Sequence, residues 1–342
     1  AAIISINTNP LEPAVVIAGA GSGKTETMAS RVVYLVANGF VRPDQILGLT
    51  FTRKAAAELG KRVFDSLIAL RDNGKYWPFK DEAGNPVQDF TPPNISTYNS
   101  YANSIFRDFA LGLGYEAEST LLTEAAAFQV ARELLIQQGD QLDSRLSDLD
   151  DSVDHLVAKV LEMAQSLNDN LVSARQVDSI IGDILESYGK LQHRDKSFNR
   201  SVDYAKVLDS LSKTRIIANL AEHYRKEKQR QGYVDYSDQV ALAELAARTV
   251  PSAKERERHS FSQILLDEYQ DTSFLQARLL RGLFADSAVY AVGDPNQSIY
   301  GWRGASSSNL EDFAGDFSAE PASVRQFSLS TSWRNPAGVL GL

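Results

Sequence analysis

Near its start the chain reads Ala18-Gly19-Ala20-Gly21-Ser22-Gly23-Lys24-Thr25, a glycine-rich octet that fits the phosphate-loop pattern with Ala in place of the first Gly. Its glycines let successive backbone N–H groups turn inward as an anion nest, and a helix beginning at the lysine adds its N-terminal dipole. The chemistry implied is phosphate binding, with Lys24 on the β and γ phosphates and the Thr25 hydroxyl on Mg²⁺. Far along the chain, Ile264-Leu265-Leu266-Asp267-Glu268 ends an apolar run in two adjacent acids, a segment of the Walker B type. Asp267 suits the metal shell. Glu268, adjacent but pointing differently, suits polarisation of an attacking water, which is the division of labour that phosphoryl transfer requires. Kinases and many small GTPases share the loop without needing the second acid, so the pair favours hydrolysis coupled to motion.

These groups need elements to hold them. Residues 14–18 form a short apolar run that breaks into the glycine turn and then into a helical pattern over 24–35, the strand, loop and helix of a parallel α/β sheet. Residues 46–50 and 95–97 read as further strands, the second after a Pro/Gly/Asp-rich loop over 73–93, with helix-compatible segments at 54–70 and 100–109. From about Leu111 strand-like runs vanish and helical periodicity takes over. Leu156, Val157, Val160, Leu161 and Ala164 make one apolar stripe, Ile180, Ile181, Ile184, Leu185 and Tyr188 a second, and Ile216, Ile217, Leu220, Ala221 and Tyr224 a third, all expected in a core. The acid-rich stretch 140–154 and the basic cluster Arg225, Lys226, Lys228 and Arg230 are expected to be solvated. Sheet-type segments return at 264–266, 289–292 and 324–329. The fold class is therefore α/β, a phosphate-loop parallel sheet interrupted by an inserted all-helical domain.

Composition narrows the function. With no cysteine, thiolate nucleophiles, disulfide scaffolds and Cys-type zinc or iron–sulfur sites are excluded, and the four histidines lie too far apart to suggest metal-ligand spacing. Lys and Arg number 35 against 44 Asp and Glu, a formal net charge of -9 that disfavours whole-surface attraction to nucleic acid or an anionic membrane. Any DNA contact must be local. The opening residues lack the basic region of a signal peptide and no apolar run reaches the ~20 residues of a membrane span. The expectation is a cytoplasmic protein with no membrane partner.

Further motifs follow in order: Leu49-Thr50-Phe51-Thr52-Arg53-Lys54-Ala55-Ala56, Asp267-Glu268-Tyr269-Gln270-Asp271-Thr272, Gly293-Asp294-Pro295-Asn296-Gln297-Ser298-Ile299-Tyr300-Gly301-Trp302-Arg303-Gly304-Ala305, and Ser332-Trp333-Arg334-Asn335. With the phosphate loop they frame nearly the whole chain, which resembles the superfamily 1 DNA helicases of the UvrD/Rep/PcrA and RecB kind. Leu11-Glu12-Pro13 and Glu26-Thr27-Met28 look closest to actinobacterial helicase-nucleases of the AdnB kind. The resemblance implies a RecA-like motor domain 1A over 1–110 and 233–318, a helical 1B insertion over 111–232, and the start of a second motor domain over 319–342. It implies ATP and Mg²⁺ as cofactors, single-stranded and duplex DNA as partners, a second motor domain in cis, and room for a partner helicase-nuclease subunit.

By the same resemblance, Gln297 senses the γ-phosphate and couples it to a DNA-contacting loop. Arg303 and Arg334 lie near the nucleotide, and Trp333, where the family usually has Tyr, stacks on adenine. Phe51, Arg53, Tyr98, Asn99, Tyr300 and Trp302 contact single-stranded DNA; aromatic stacking tolerates any base, as a motor on arbitrary sequence requires. Three departures stand out. Asn99 replaces a usual His, Glu26 replaces an Arg found in several relatives, and residues 1–24 contain no adenine-reading Gln. With only eight residues after Arg334, the expectation is a fragment of a longer motor that turns ATP over slowly by itself. A regulatory subunit with a structural nucleotide site is the alternative, and the intact Lys24, Asp267, Glu268, Gln297 and Arg303 argue against it.

Overall fold

The computed structural model describes residues 2–3, 10–74, 76–85, 87, 89–146, 152–194, 204–299, 301 and 308–334, with backbone alone at 138–146, 189–194 and 204–205. In chain order the first six elements are β1 (Ala14–Ala18), α1 (Lys24–Ala37), β2 (Ile46–Thr50), α2 (Arg53–Asn73), β3 (Asn94–Thr97) and α3 (Tyr98–Phe109). Next come β4 (Thr120–Leu121), α4 (Glu124–Leu146), α5 (Val153–Asp169), α6 (Ala174–Arg194), α7 (Tyr204–Arg230), β5 (Tyr233–Val234) and α8 (Tyr236–Thr249). The chain ends through α9 (Pro251–Ser260), β6 (Gln263–Leu266), α10 (Phe274–Phe284), β7 (Val289–Gly293), α11 (Ser308–Phe317) and β8 (Arg325–Leu329). Two compact units result, Ala1–Phe109 with Leu242–Leu342, and Ala110–Ala241.

The first unit is built on a 6-stranded sheet of order β3-β2-β6-β7-β1-β8, parallel at every pairing. Every residue of β2, β6 and β7 is buried, as continuous apolar runs must be when helices cover both faces of a parallel sheet. On one face Met28, Val32 and Leu35 of α1 and Leu59, Val63 and Leu67 of α2 close over Val16, Leu265 and Val292. The loop before β3 is tied down by Trp77, whose ring meets Phe79 and Phe90 at 5.3 Å each, edge-on to the first and tilted to the second.

One expected boundary is corrected here. Residues 325–329 do not open a second motor domain: they pair with β1 from Ala14↔Arg325 to Ala18↔Leu329 and complete the first sheet. The reason lies in the strand order, since β1 has β7 on one side and is free to pair on the other, and Phe327 and Leu329 pack on the core.

In the second unit, α4, α5 and α7 share a core of Leu135, Leu156, Val157, Val160, Leu220 and Tyr224. The first and third stripes pack into this core as expected, with Leu161, Ile216 and Ile217 half-buried at its edge, whereas on α6 only Ile181 of the second stripe is buried, Ile184, Leu185 and Tyr188 are half-buried and Ile180 is 56% exposed. A short parallel pair, Thr120↔Tyr233 and Leu121↔Val234, joins the first and last segments of this unit.

The basic cluster on α7 needs a second correction. Arg225 pairs with Glu222 and Arg230 with Glu227 at the surface, but Lys228 is only 2% exposed. Its ammonium bonds Asp235 and, at 2.5 Å, Asp238, beneath the Tyr224 ring at 4.8 Å. Asp238 also accepts from Asn168 at 2.8 Å, and each of the two acids donates its main-chain N–H to the other's carboxylate at 2.9 Å. Burial alone would lower the Lys228 pKa; the two carboxylates overcome it and hold the ammonium above its ordinary value. The ion cluster fastens the start of α8 to α7, and the helical unit accordingly runs on to Ala241, inside α8, beyond the 232/233 boundary that the resemblance implies.

Candidate nucleotide and nucleic-acid site

Every residue expected to carry chemistry that the structure describes lies just beyond a strand's carboxyl end, where parallel sheets place their ligands. After β1, Gly21 and Gly23 take left-handed φ values of +73° and +88°, and Ser22 closes the turn by donating its N–H (3.2 Å) and Oγ (2.8 Å) to Gly19 O. Gly23 is the N-cap of α1 and has no side chain to occupy the first-turn amides, so that end of the helix is open to an anion. Glycine is needed at both turn positions, because left-handed backbone costs other residues roughly 1–2 kcal/mol. At Gly21 there is a second constraint: a Cβ would stand 2.5 Å from Arg334 Cβ.

Lys24 leaves the loop and reaches across β7 to the turn after β6, where its Nζ meets Glu268 Oε2 at 2.8 Å. Glu268 is itself in left-handed backbone (φ +49°, ψ +44°), unusual for a residue other than glycine and of the kind found at functional sites. Asp267, beside it, is buried; its N–H donates to Leu49 O at 2.9 Å and its carbonyl accepts from the Tyr98 hydroxyl at 2.9 Å. Burial first, and the neighbouring Glu268 charge second, push the Asp267 carboxyl up to about 7, with Lys24 opposing. A buried carboxyl with surplus proton affinity is one whose charge the protein leaves under-compensated, and this fits a site for a divalent cation.

The turn after β7 lies against both. Asp294 Oδ2 sits 3.9 Å from where a Cβ on Gly19 would be, and Gln297 bonds that same carboxylate through its Nε2. Asp294 Oδ1 accepts from Asn296 N at 3.0 Å. Beyond β8, Trp333 N donates to Gly21 O at 2.9 Å and Ser332 Oγ to Ala20 O at 3.4 Å, so this segment rests on the phosphate loop. The Trp333 ring is 81% exposed there, available as a stacking face.

Toward the β3 side of the sheet, β2 is followed by Phe51, half-buried, and by Arg53, exposed at the start of α2, with the Thr52 hydroxyl capping that helix on Ala55 N at 3.1 Å. Asn99 is exposed at the start of α3, its Oδ1 accepting from Gln276 Nε2 at 2.9 Å. The expectation for Tyr98 is corrected: at 4% exposure its ring has no face for a base. Its hydroxyl instead supports the main chain of the acid turn, and burial and then the Asp267 charge hold its phenol well above the ordinary tyrosine range, as a neutral donor. Tyr300, Trp302 and Arg303 lie outside the described residues.

Residues 4–318 match the family model described as the UvrD/REP helicase N-terminal domain. The chain belongs to that family. It is 28% identical over 318 residues to ATP-dependent DNA helicase UvrD1 of Mycobacterium leprae (strain TN), covering 89% of this chain and 34% of that protein. To DNA helicase II of Escherichia coli (strain K12) it is 28% identical over 328 residues, 94% of this chain and 37% of the relative. To ATP-dependent DNA helicase PcrA of Leuconostoc citreum it is 26% identical over 306 residues, with 89% and 33% covered. The chain thus spans only about a third of the length of these curated relatives.

Within this helicase-family domain the geometry adds residues that the motifs alone do not single out. Gln270, Asp271 and Asp294 connect the acid turn to the Gln297 turn. The available signal was polarity in the short turns that directly follow two buried strands, β6 and β7, where each polar group needs a partner.

Proposed function

We propose that the protein containing this chain is an ATP-dependent DNA translocase and helicase, moving 3′ to 5′ on single-stranded DNA in repair or recombination, in the cytoplasm. The observation that carries the reading is the Lys24 to Glu268 contact of 2.8 Å, which joins an open phosphate loop to a second acid beside a buried carboxyl. Thr25 and Asp267 are the residues that would hold Mg²⁺, which supplies charge neutralisation at the phosphates. Lys24 would exchange its partner Glu268 for phosphate oxygens, leaving that carboxylate to accept a proton from the attacking water. Gln297, Arg334 and the Trp333 ring complete the nucleotide side, while Phe51, Arg53 and Asn99 hold the strand toward the β3 side of the sheet. Tyr300, Trp302 and Arg303 keep their family roles in this reading, and the helical insertion is the 1B domain.

The relatives' names, ATP-dependent DNA helicase and DNA helicase II, support the reaction class. A kinship with AdnB-type helicase-nucleases, with a partner subunit, rests on Leu11-Glu12-Pro13 and Glu26-Thr27-Met28. The 342 residues alone are expected to turn ATP over slowly, since they correspond to about a third of such a protein. The reading is tested by Lys24→Ala in the full-length protein, which should reduce ATP-driven strand separation by about 100-fold, the scale of one well-placed charged group. Unchanged unwinding would mean that this nucleotide site is structural.

A further inference from the structure

Gln270 is a polar side chain with only 1% exposure, in the turn between Glu268 and α10. Both ends of its amide are used. Nε2 donates at 2.9 Å to Glu268 Oε2, the same oxygen that meets Lys24, and at 3.3 Å to Asp271 Oδ2. Oε1 accepts from Asp294 N at 3.1 Å, and the Gln270 carbonyl accepts from Ser298 Oγ at 3.3 Å. The next residue, Asp271, takes a main-chain bond from Ile299. The turn that carries Gln297 is therefore tied at Asp294, Ser298 and Ile299 to the turn that carries Glu268. Gly293 lets this happen, because a Cβ there would lie 2.5 Å from Gln270 Oε1.

We propose that Gln270 is a positioning residue for hydrolysis, fixing the Glu268 carboxylate and passing to it any displacement of the Gln297 turn. The inference rests on the ATP-hydrolysing reading of the site. An amide suits this role because it is neutral and offers donor and acceptor together, so it bridges a carboxylate and a backbone N–H at once. A carboxylate in its place would repel Glu268, and a hydrocarbon would release both partners. Because Glu268 stands in left-handed backbone, outside any helix or strand, bonds to its side chain must set its direction. Burial limits the alternatives that Gln270 could bond instead.

The test is made in the full-length protein and compares the unsubstituted form with Gln270→Met, Gln270→Glu and Gly293→Ala. Methionine keeps the volume and removes both bonds; glutamate keeps the acceptor for Asp294 N and loses the donor to Glu268. Alanine at 293 leaves Gln270 intact and displaces its amide, so it carries the test even if the Met variant does not fold. ATP affinity is measured by equilibrium titration, hydrolysis of bound ATP in single turnover with the protein in excess, and folding by thermal melting. All three variants should slow hydrolysis by about 10- to 100-fold, as a misplacement near 1 Å does, with affinity within about threefold. Hydrolysis at the unsubstituted rate in Gln270→Met, or affinity that falls in step with rate, would overturn the positioning role alone. If the unsubstituted full-length protein hydrolyses no bound ATP, the reading of the site falls and this inference with it.

Discussion

Glu268→Gln is expected to slow hydrolysis of bound ATP by at least about 100-fold, the usual contribution of a positioned general base. ATP affinity should be retained or improve. The substitution preserves size and leaves an acceptor for Gln270 Nε2, so the turn should keep its shape. What it removes is the proton acceptor and the negative charge. Lys24, which in this structure is engaged with Glu268 Oε2 at 2.8 Å, would lose a competitor for the phosphate. Removing the Glu268 charge also removes the second of the two influences that raise Asp267, so that carboxyl would ionise more readily and a divalent cation should bind no worse. Single-turnover hydrolysis and equilibrium titration, on the same preparation, separate the two effects. A variant that hydrolyses at the unsubstituted rate would remove Glu268 from the chemistry.

Lys228→Met is expected to destabilise the helical unit by about 3–5 kcal/mol, the cost of breaking a buried ion cluster by deleting one partner. Methionine matches the aliphatic stem but leaves Asp235 and Asp238 facing each other without a cation. Urea unfolding measured on the unit's tyrosines reads the loss. Adding Asp235→Asn and Asp238→Asn should recover much of it, because it is the uncompensated charge that destabilises. The pH dependence has a definite sign. Lys228 is held above its ordinary pKa in the fold, so its contribution is fully present below the unfolded value of ~10.4 and is lost as pH rises through the higher folded value. Lowering the pH from neutral does not remove it through Lys228. An unfolding midpoint unchanged by Lys228→Met would show that the cluster contributes no net stability.

Much of the sheet is legible in the sequence because strands buried on both faces read as unbroken apolar runs. Residues 14–18, 46–50 and 264–266 could hardly be anything else once the glycine turn and the acid pair stand at their ends. The phosphate loop is legible for a different reason: its glycines answer to backbone geometry, and φ values of +73° and +88° admit few other residues. Lys228 misleads when charge is weighed before periodicity. It continues the stripe of Leu220, Ala221 and Tyr224 at helical spacing, so its position announces burial while its type announces solvent. Tyr98 misleads because an aromatic next to a motif looks like a stacking face, and only the tertiary fold shows the hydroxyl turned under Asp267. The place of β8 depends on which side of β1 is vacant, a property of strand order that no local pattern carries. The link through Gln270 is of the same kind, since Glu268 and Asp294 are brought to one amide by neighbouring strands β6 and β7.

The proposal on which everything else depends is that the loop after β1 and the acids after β6 together form one Mg·ATP site. Titrating the chain with ATP, with and without Mg²⁺, tests it most directly. Saturable binding of one nucleotide per chain, tightened by Mg²⁺ and losing that tightening in Asp267→Ala, is the predicted result. No saturable binding, or binding indifferent to Mg²⁺ and to Asp267, would contradict it.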